Sequence, residues 1–260
     1  MNKQLIATPI SHLFENELNA KDIIAVSDCL EVRQRSLESS WPNQKLFHID
    51  IDLSHPWDHK IKDYLSNAFS LKTSLEVVTF QSTRCCEGEK LINGMFQSEG
   101  RVFSKNDMIT FAKENTIWLR ENLNSNILIG LENNNYYPTE AYKSITDGEF
   151  LSTLVHDNDL FLLLDIAHAM VTAHNKSIEF KSYLSTLPLD KMLQVHICQP
   201  ELPNGEIGYD AHNEPNVEME NLVLDLIKKF PKIKYLTIEY YKDKDILIKS
   251  IDSLKNRLFS

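Results

Sequence analysis

The chain alternates short apolar runs with longer segments in which apolar residues recur at helical spacing. This alternation predicts βα units arranged around a parallel sheet. The apolar runs predict eight strands: Gln4 to Thr8, Ile23 to Arg33, Lys45 to Leu53, Leu75 to Gln81, Asn126 to Glu132, Leu160 to Ile166, Met192 to Cys198 and Ile233 to Tyr240. Eight strands with intervening helices in 260 residues favour an α/β fold of the (β/α)8 TIM-barrel type. A doubly wound open sheet is the alternative.

Composition narrows the class of protein. Apolar residues at 42% and charged residues at 25% are ordinary values for a globular chain, and no linker or low-complexity tract divides it, so we expect one domain over residues 1–260. The net charge of −10 disfavours partners such as nucleic acid or an anionic membrane. No run approaches the roughly 18 apolar residues of a membrane span, and no secretion signal is evident. We therefore expect a cytoplasmic protein.

The four cysteines lack the spacing of a disulfide framework or a zinc finger, so free thiols are expected. Cys198 lies two residues after His196, and strand alternation places both on one face, from which the thiol could approach a metal. A small buried core residue is the commoner role for such a thiol. For adjacent Cys85 and Cys86, the expected state is that of free thiols in a loop, with redox use or substrate exchange as the alternative.

Acidic and imidazole side chains recur where the predicted strands end. They are His48, Glu132, Asp165 with His168, His196 and Glu239. Asp210 and His212 follow the seventh strand and are separated by one residue, so an extended segment points both side chains the same way. In a barrel, the carboxyl ends of the strands meet at one mouth, where the chemistry of this fold is carried out.

Four carboxylates in one mouth would repel each other, and burying them unpaired costs on the order of several kcal/mol each. Lys and Arg are nearly absent from the predicted strand ends, so a metal cation is the economical counter-charge. Eight candidate ligands exceed one coordination sphere, which predicts more than one ion, and nitrogen and oxygen ligands suit iron, manganese or zinc. Taken singly, Glu132 could instead cap a helix and Asp165 could form a structural salt bridge.

Several ordered motifs carry a family resemblance. From "GLENNNYYP" through "LLLDIAHAMVTAHN", "YLSTLPLDKMLQVHI" and "GYDAHNEP" to "LTIEYY", the chain resembles the multinuclear non-heme iron-dependent oxidative enzymes, which include the methanobactin-biosynthesis iron oxygenase. The resemblance covers the C-terminal half well and the N-terminal half loosely. It implies a xylose-isomerase-like TIM barrel. The same set of residues is more distantly similar to endonuclease IV and the sugar isomerases, which share that fold.

The resemblance also implies roles for individual residues. The implied metal ligands are Glu132, Asp165, His168, His196, Asp210, His212 and Glu239. His48 is an eighth implied ligand, and its assignment depends only on "HIDIDLS" standing where the family has a strand that begins with histidine. Asn133 and Asn175 are implied as ligands or as groups that support them. The fourth strand, "LEVVTFQS", departs from the family by offering Phe80 and Gln81 where the family usually supplies a histidine. Only one of these two side chains can face the barrel interior, because they alternate.

The implied activity is oxidation by O2 of a side chain, often a cysteine, in a ribosomally made peptide, with two or three iron ions as cofactor and zinc or manganese as the alternative. A partner protein that delivers the peptide is part of this expectation. The alternatives are a divalent-metal sugar isomerase or epimerase, an endonuclease IV-like phosphodiester hydrolase and a non-catalytic metal-binding protein. The hydrolase requires a basic rim, of which this acidic sequence offers little sign.

Two long connections are expected to form a rim over the substrate. They are residues 82–103 and 199–216, which carry no obvious secondary structure in the sequence. Connections of that length are usually functional or mobile.

Overall fold

The computed structural model describes residues 3–259, within which the strands follow the predicted order. In chain order they are β1 (Leu5–Pro9), β2 (Cys29–Arg33), β3 (Gln44–Asp52), β4 (Val77–Gln81), β5 (Cys86–Ile92), β6 (Met95–Val102), β7 (Leu128–Glu132), β8 (Phe161–Asp165), β9 (Met192–Ile197), β10 (Gln199–Glu201), β11 (Tyr209–Asn213) and β12 (Tyr235–Ile238). The α-helices are α1 (Glu17–Val26), α2 (His59–Leu71), α3 (Lys105–Asn122), α4 (Gly148–Asp157), α5 (Ile166–Asn175), α6 (Phe180–Leu184), α7 (Val217–Lys229) and α8 (Lys244–Phe259).

Eight of these strands close into a parallel barrel in the order β1-β2-β3-β4-β7-β8-β9-β12, and β12 returns to pair with β1. Every neighbouring pair is parallel, so all eight carboxyl ends open on the same rim. The prediction of a (β/α)8 barrel is confirmed, and the open-sheet alternative is wrong. The core lies between strands and helices, where residues such as Phe47, Phe80 and Leu162 are fully buried.

The second predicted strand is too long at its amino end. Ile23 to Val26 form the last turn of α1, and the strand begins at Cys29. Asn16 starts this helix by accepting hydrogen bonds from the backbone N–H groups of Leu18 and Asn19. A short apolar run such as "IIAV" fits either a buried helix end or a strand, so periodicity alone could not place the boundary.

The connection 82–103 forms an antiparallel ribbon of β5 and β6 rather than an unstructured loop. Its turn is Asn93-Gly94, and both residues have positive φ, at 51° and 76°. Asn-Gly is the strongest short-range signal for a two-residue hairpin turn, so the sequence itself indicates a hairpin in this connection. The second connection, 199–216, likewise contains a ribbon, formed by β10 and β11. No described helix is long and apolar enough to cross a membrane.

Candidate metal centre

The eight predicted ligands come from barrel strands, from the segments that directly follow them, and from the β10–β11 ribbon. They belong to β3 (His48), β7 (Glu132), the β8–α5 junction (Asp165 and His168), β9 (His196), β11 (Asp210 and His212) and the residue after β12 (Glu239). The barrel therefore brings together side chains that are remote in the chain, such as His48 and His196, whose ring centroids are 5.3 Å apart.

His196 lies at the centre of the cluster and is fully buried. Its Nδ1 atom is 3.1 Å from Glu132 Oε1, 3.4 Å from Glu239 Oε2 and 3.8 Å from Asp165 Oδ2. Its Nε2 atom is 3.1 Å from Glu31 Oε2 on the opposite side. One imidazole thus approaches carboxylates carried by or directly following four barrel strands, so this residue joins the two sides of the mouth.

Asp165 and His168 are positioned by the start of α5. Asp165 is the N-cap of the helix, and its Oδ1 accepts a 2.7 Å hydrogen bond from the backbone N–H of His168. Asn133 holds the Asp165 backbone from both sides, because its side chain donates to the carbonyl and accepts from the N–H, at 2.9 Å each. The carbonyl of Asn133 also lies 2.9 Å from His168 Nδ1, which turns Nε2 towards the site. Asn133 therefore supports the neighbouring ligands instead of pointing an oxygen at a metal.

Asp210 and His212 are carried by the β10–β11 ribbon. Their side chains point the same way, as alternation predicts, and His212 Nε2 lies 3.1 Å from Asp210 Oδ2. His212 has a φ of 43°, an uncommon conformation for a residue with a side chain, and such conformations cluster at functional sites. Cys198 Sγ donates to Asp210 Oδ1 at 3.3 Å, so the thiol reaches the cluster as strand alternation predicts.

His48 and Gln81 form the side of the site where the family resemblance is weakest. Gln81 Nε2 lies 3.1 Å from both His48 Nε2 and Glu132 Oε2, so Gln81 is the residue of its strand that faces the mouth. Phe80 points the other way and packs on Trp57, with ring centroids 5.3 Å apart. The amide of Gln81 therefore stands where the family usually supplies a histidine.

Two charged residues of β2 join the site although the sequence analysis did not select them. Glu31 is fully buried beside His196, and Arg33 at the end of the strand forms ion pairs with Glu31 and Glu239. The expectation that cationic side chains are nearly absent from the mouth is thus wrong at this strand. The signal was present, because Glu31 and Arg33 alternate in "CLEVR" and therefore share the inward face of a buried strand.

Asn175 is the predicted site residue that the structure keeps apart from this cluster. Its side chain donates to the carbonyls of Tyr136 and Gly208 and accepts from the N–H of Gly208, so it ties α5 to the ribbon that carries Asp210. Cys85 and Cys86 are buried free thiols at the start of the β5–β6 ribbon, and burial raises the pKa of both.

The carboxylates of the site differ in their protonation. Burial and the nearby Asp210 and Glu239 carboxylates raise the pKa of Asp165 to about 7, although His168 acts in the opposite direction. Burial would also raise the pKa of Glu132, but the neighbouring imidazoles of His48 and His196 outweigh it and lower the value to about 2. Asp165 is thus protonated more readily than Glu132, and a bound cation would displace that proton.

The charges around Glu239 and His196 stabilise each other. Burial disfavours the charged form of both groups, yet His196 and Arg33 hold the pKa of Glu239 well below its usual value. The carboxylates of Glu239 and Glu31 in turn raise the pKa of the His196 imidazole well above its ordinary range. Without a bound metal ion, the His196 imidazolium therefore acts as a counter-charge for the surrounding carboxylates.

Three groups within residues 3–259 have ligand atoms close enough to share a metal ion, within 4.8 Å of one another. They are the Glu132 group (Glu132, Asp165, His168), the Cys198 group (Cys198, His212, Glu239) and the Glu31 group (Glu31, His196, Glu239). Asp165 Oδ2 and His196 Nδ1 are buried and form no hydrogen bond with any described residue. Buried polar atoms are rarely left unpaired, so these two fit a cation between them, which would bind the deprotonated forms of both groups.

Access to the cluster is uneven. The side chains of Glu31, Asp165 and His196 are fully buried, whereas that of His212 is 35% exposed and that of His168 is 12% exposed. The ribbon that carries His212 therefore borders the open side of the mouth.

Solved structures of similar fold agree with the barrel. A xylose isomerase domain protein from Alicyclobacillus acidocaldarius superposes with a TM-score of 0.66 at 13% identity, covering 99% of each chain. A D-tagatose 3-epimerase-like protein superposes with a TM-score of 0.62 at 15% identity, covering 98% of this chain and 97% of its own. The protein is therefore a xylose-isomerase-like TIM barrel, and at these identities the likeness concerns the fold.

A family model described as "RiPP precursor modification enzyme MbnB/TglH/ChrH" matches residues 102–249, which is more than half of the chain. The chain belongs to this family. The matched segment includes seven of the eight predicted ligands, and His48 lies before it.

Curated relatives match over a shorter segment. A UPF0276 protein of Vibrio parahaemolyticus is 32% identical over 104 residues, covering 39% of this chain and 35% of the relative. A UPF0276 protein of Caulobacter vibrioides is 32% identical over 85 residues, covering 33% of this chain and 30% of the relative. These matches thus span about a third of the relatives' length.

Proposed function

We propose that this protein is a multinuclear iron enzyme that uses O2 to oxidise a side chain, such as that of cysteine, in a ribosomally made peptide. Membership of a family of peptide precursor modification enzymes supports the substrate class. The observation that carries the proposal is the convergence of Glu132, Asp165 and Glu239 on His196, with Asp165 Oδ2 left unpaired in the buried mouth.

The residues that would hold two or three iron ions are the eight predicted ligands. Their nitrogen and oxygen atoms suit iron, and zinc or manganese are the alternatives. Iron bound here would supply activation of O2 and acidification of a substrate thiol. The two carboxylate oxygens of Asp165 have different roles. Oδ1 caps the start of α5, and Oδ2 is free to bind a metal ion.

The chain's own residues would orient the substrate from the ribbon side of the mouth. His212 and Asp210 border this opening, and Cys198 lies behind them within hydrogen-bond distance of Asp210. Deeper side chains such as His196 are shielded from water, which strengthens their electrostatic interactions. We also propose a cytoplasmic location and delivery of the peptide by a partner protein.

The experiment uses anaerobically reconstituted protein and a short Cys-bearing peptide as the candidate substrate. We expect O2 consumption and a peptide mass change with this peptide and neither with its Cys→Ser counterpart. A reconstituted protein that binds the peptide yet consumes no O2 contradicts the oxidative function.

A divalent-metal sugar epimerase or isomerase is the second candidate. It is favoured by the approach of Glu132, Glu239 and Asp165 to one imidazole, because a single divalent ion with carboxylates on both sides suits proton transfer on a polyol. Incubation of the Mn²⁺-loaded protein with ketoses in the absence of O2 tests it. Epimerised product without O2 supports this candidate over the oxidative one.

A further inference from the structure

Arg33 links two carboxylates, that of Glu31 on β2 and that of Glu239 directly after β12. Its Nη2 atom lies 2.6 Å from Glu31 Oε1 and also binds Glu239 Oε1. The Arg33 side chain is only 13% exposed, and both carboxylates are nearly inaccessible to solvent. A guanidinium is charged at every pH at which the protein folds, so this cation is permanent.

The other oxygens of these two carboxylates face His196. Glu31 Oε2 lies 3.1 Å from His196 Nε2, and Glu239 Oε2 lies 3.4 Å from His196 Nδ1. Gln194 and Thr237 also donate hydrogen bonds to Glu31 Oε2. Glu31 Oε2 is therefore surrounded by donors, and Glu31 Oε1 meets the guanidinium, whereas Asp165 Oδ2 has neither a hydrogen bond nor an arginine among the described residues.

We propose that Arg33 takes the place of a metal ion in the Glu31 group, as a fixed cation that pairs Glu31 with Glu239. The mouth then binds metal in the Glu132 group and the Cys198 group, where Glu239 Oε2 lies 3.6 Å from His212 Nε2. This inference rests on the proposed metal-dependent function and adds the number of ions that the chain can hold.

The physical reason is that the cation is covalently tethered. A metal ion entering the Glu31 group must displace a guanidinium whose charge is already matched by two buried carboxylates, and a displaced arginine would remain buried without its partners. The groups on the ribbon side hold no such arginine within the described residues, so their carboxylates stay available to an ion.

Arg33→Met tests the proposal because it removes the charge and keeps a long apolar stem. The measurement is equilibrium dialysis of anaerobic, metal-stripped protein against Mn²⁺ alone, followed by elemental analysis. We expect up to two Mn²⁺ ions per wild-type chain and one more in Arg33→Met. Mn²⁺ should also raise the melting temperature of the variant more than that of the wild type.

Arg84→Met is the matched control. Arg84 also bridges two carboxylates, with Nη1 2.7 Å from Asp52 and Nε 2.8 Å from Glu89, but it lies outside the three ligand groups. We expect it to leave the number of bound ions unchanged. Glu31→Gln/Arg33→Met removes one carboxylate together with the guanidinium, and it should return the ion number to that of the wild type.

The outcomes separate this inference from the function on which it rests. A folded Arg33→Met chain with the wild-type number of ions overturns the inference, as does a wild-type chain that already binds three ions tightly. The second result needs no variant, so it decides the matter even if Arg33→Met fails to fold. A wild-type chain that binds no Mn²⁺ and no iron overturns the proposed function instead.

Discussion

Asp165 Oδ1 accepts a 2.7 Å hydrogen bond from the backbone N–H of His168, so one carboxylate both starts a helix and faces the mouth with its other oxygen. This arrangement explains why an apolar strand ends in an acid followed three residues later by histidine. The helix start fixes the orientation of the carboxylate, and the same turn of helix brings the imidazole to 3.8 Å from Oδ2.

The two roles of Asp165 can be separated by substitution. Asparagine is also a good N-cap, so Asp165→Asn should keep the helix start and lose metal, whereas Asp165→Ala should lose both. We expect Asp165→Ala to be about 1 kcal/mol less stable than Asp165→Asn in the metal-free state. Chemical denaturation and elemental analysis of the two variants measure this. Equal stability would show that the cap contributes nothing, and full metal content in both would remove Asp165 from the ligands.

His168→Ala should lose metal while the fold is retained. Its Nε2 atom faces both Asp165 and Asp210, at 3.8 Å and 3.6 Å, so its removal takes a nitrogen ligand from the Glu132 group. We expect metal affinity to fall by more than about tenfold. His156→Ala on α4 is the control, because that imidazole is 45% exposed and faces Asp190 away from the site. Equal losses in the two variants would contradict a specific role for His168.

Gln81→His should raise iron occupancy. Gln81 faces His48 and Glu132, so an imidazole there adds the ligand that the family resemblance leads us to expect. Phe80→His is the matched variant on the opposite face, and it should cost about 3 kcal/mol of stability without adding iron, because Phe80 is fully buried against Trp57. The measurement is iron per chain after identical anaerobic reconstitution. Unchanged iron in Gln81→His would mean that the mouth is complete without this ligand.

Glu76 should make stability depend on acid pH. Burial would raise the pKa of Glu76, but hydrogen bonds from Lys234, Lys45 and Tyr235 lower it from 4.5 to about 2. The folded-state pKa is thus below the unfolded one, so the stabilisation is present above pH 4.5 and is lost as pH falls towards 2. The difference in melting temperature between wild type and Glu76→Gln should shrink over that window.

The control for this pH dependence is Glu114→Gln, at an exposed position on α3. We expect its melting temperature to follow that of the wild type throughout. A difference between wild type and Glu76→Gln that stays constant from pH 6 to strongly acid conditions would show that the lysine contacts do not stabilise the charged form.

Most of the barrel could be predicted because its strands are buried on both faces and read as short apolar runs between helical segments. The ends of such strands are also the places where polar residues become visible in the sequence, which is why His196 and Glu239 were selected. Their ligand roles and the one-domain organisation remain predictions.

Glu31 could not be found by counting strand ends, since it lies two residues before the end of β2, inside the barrel. Its burial is tolerated only because Arg33 and His196 come close in three dimensions. The pattern of β2 shows that Glu31 and Arg33 share a face, but His196 is remote in sequence, so its approach to Glu31 is not visible in that strand. The orientation of Gln81 likewise depends on three-dimensional packing, because Phe80 packs against Trp57 and alternation then turns Gln81 to the mouth.

Elemental analysis of protein purified and reconstituted without O2 tests whether this mouth binds more than one iron ion. We expect more than one equivalent of iron per chain, with iron reduced in His168→Ala and unchanged in His156→Ala. One equivalent of zinc, with no gain of iron on reconstitution, would contradict this expectation.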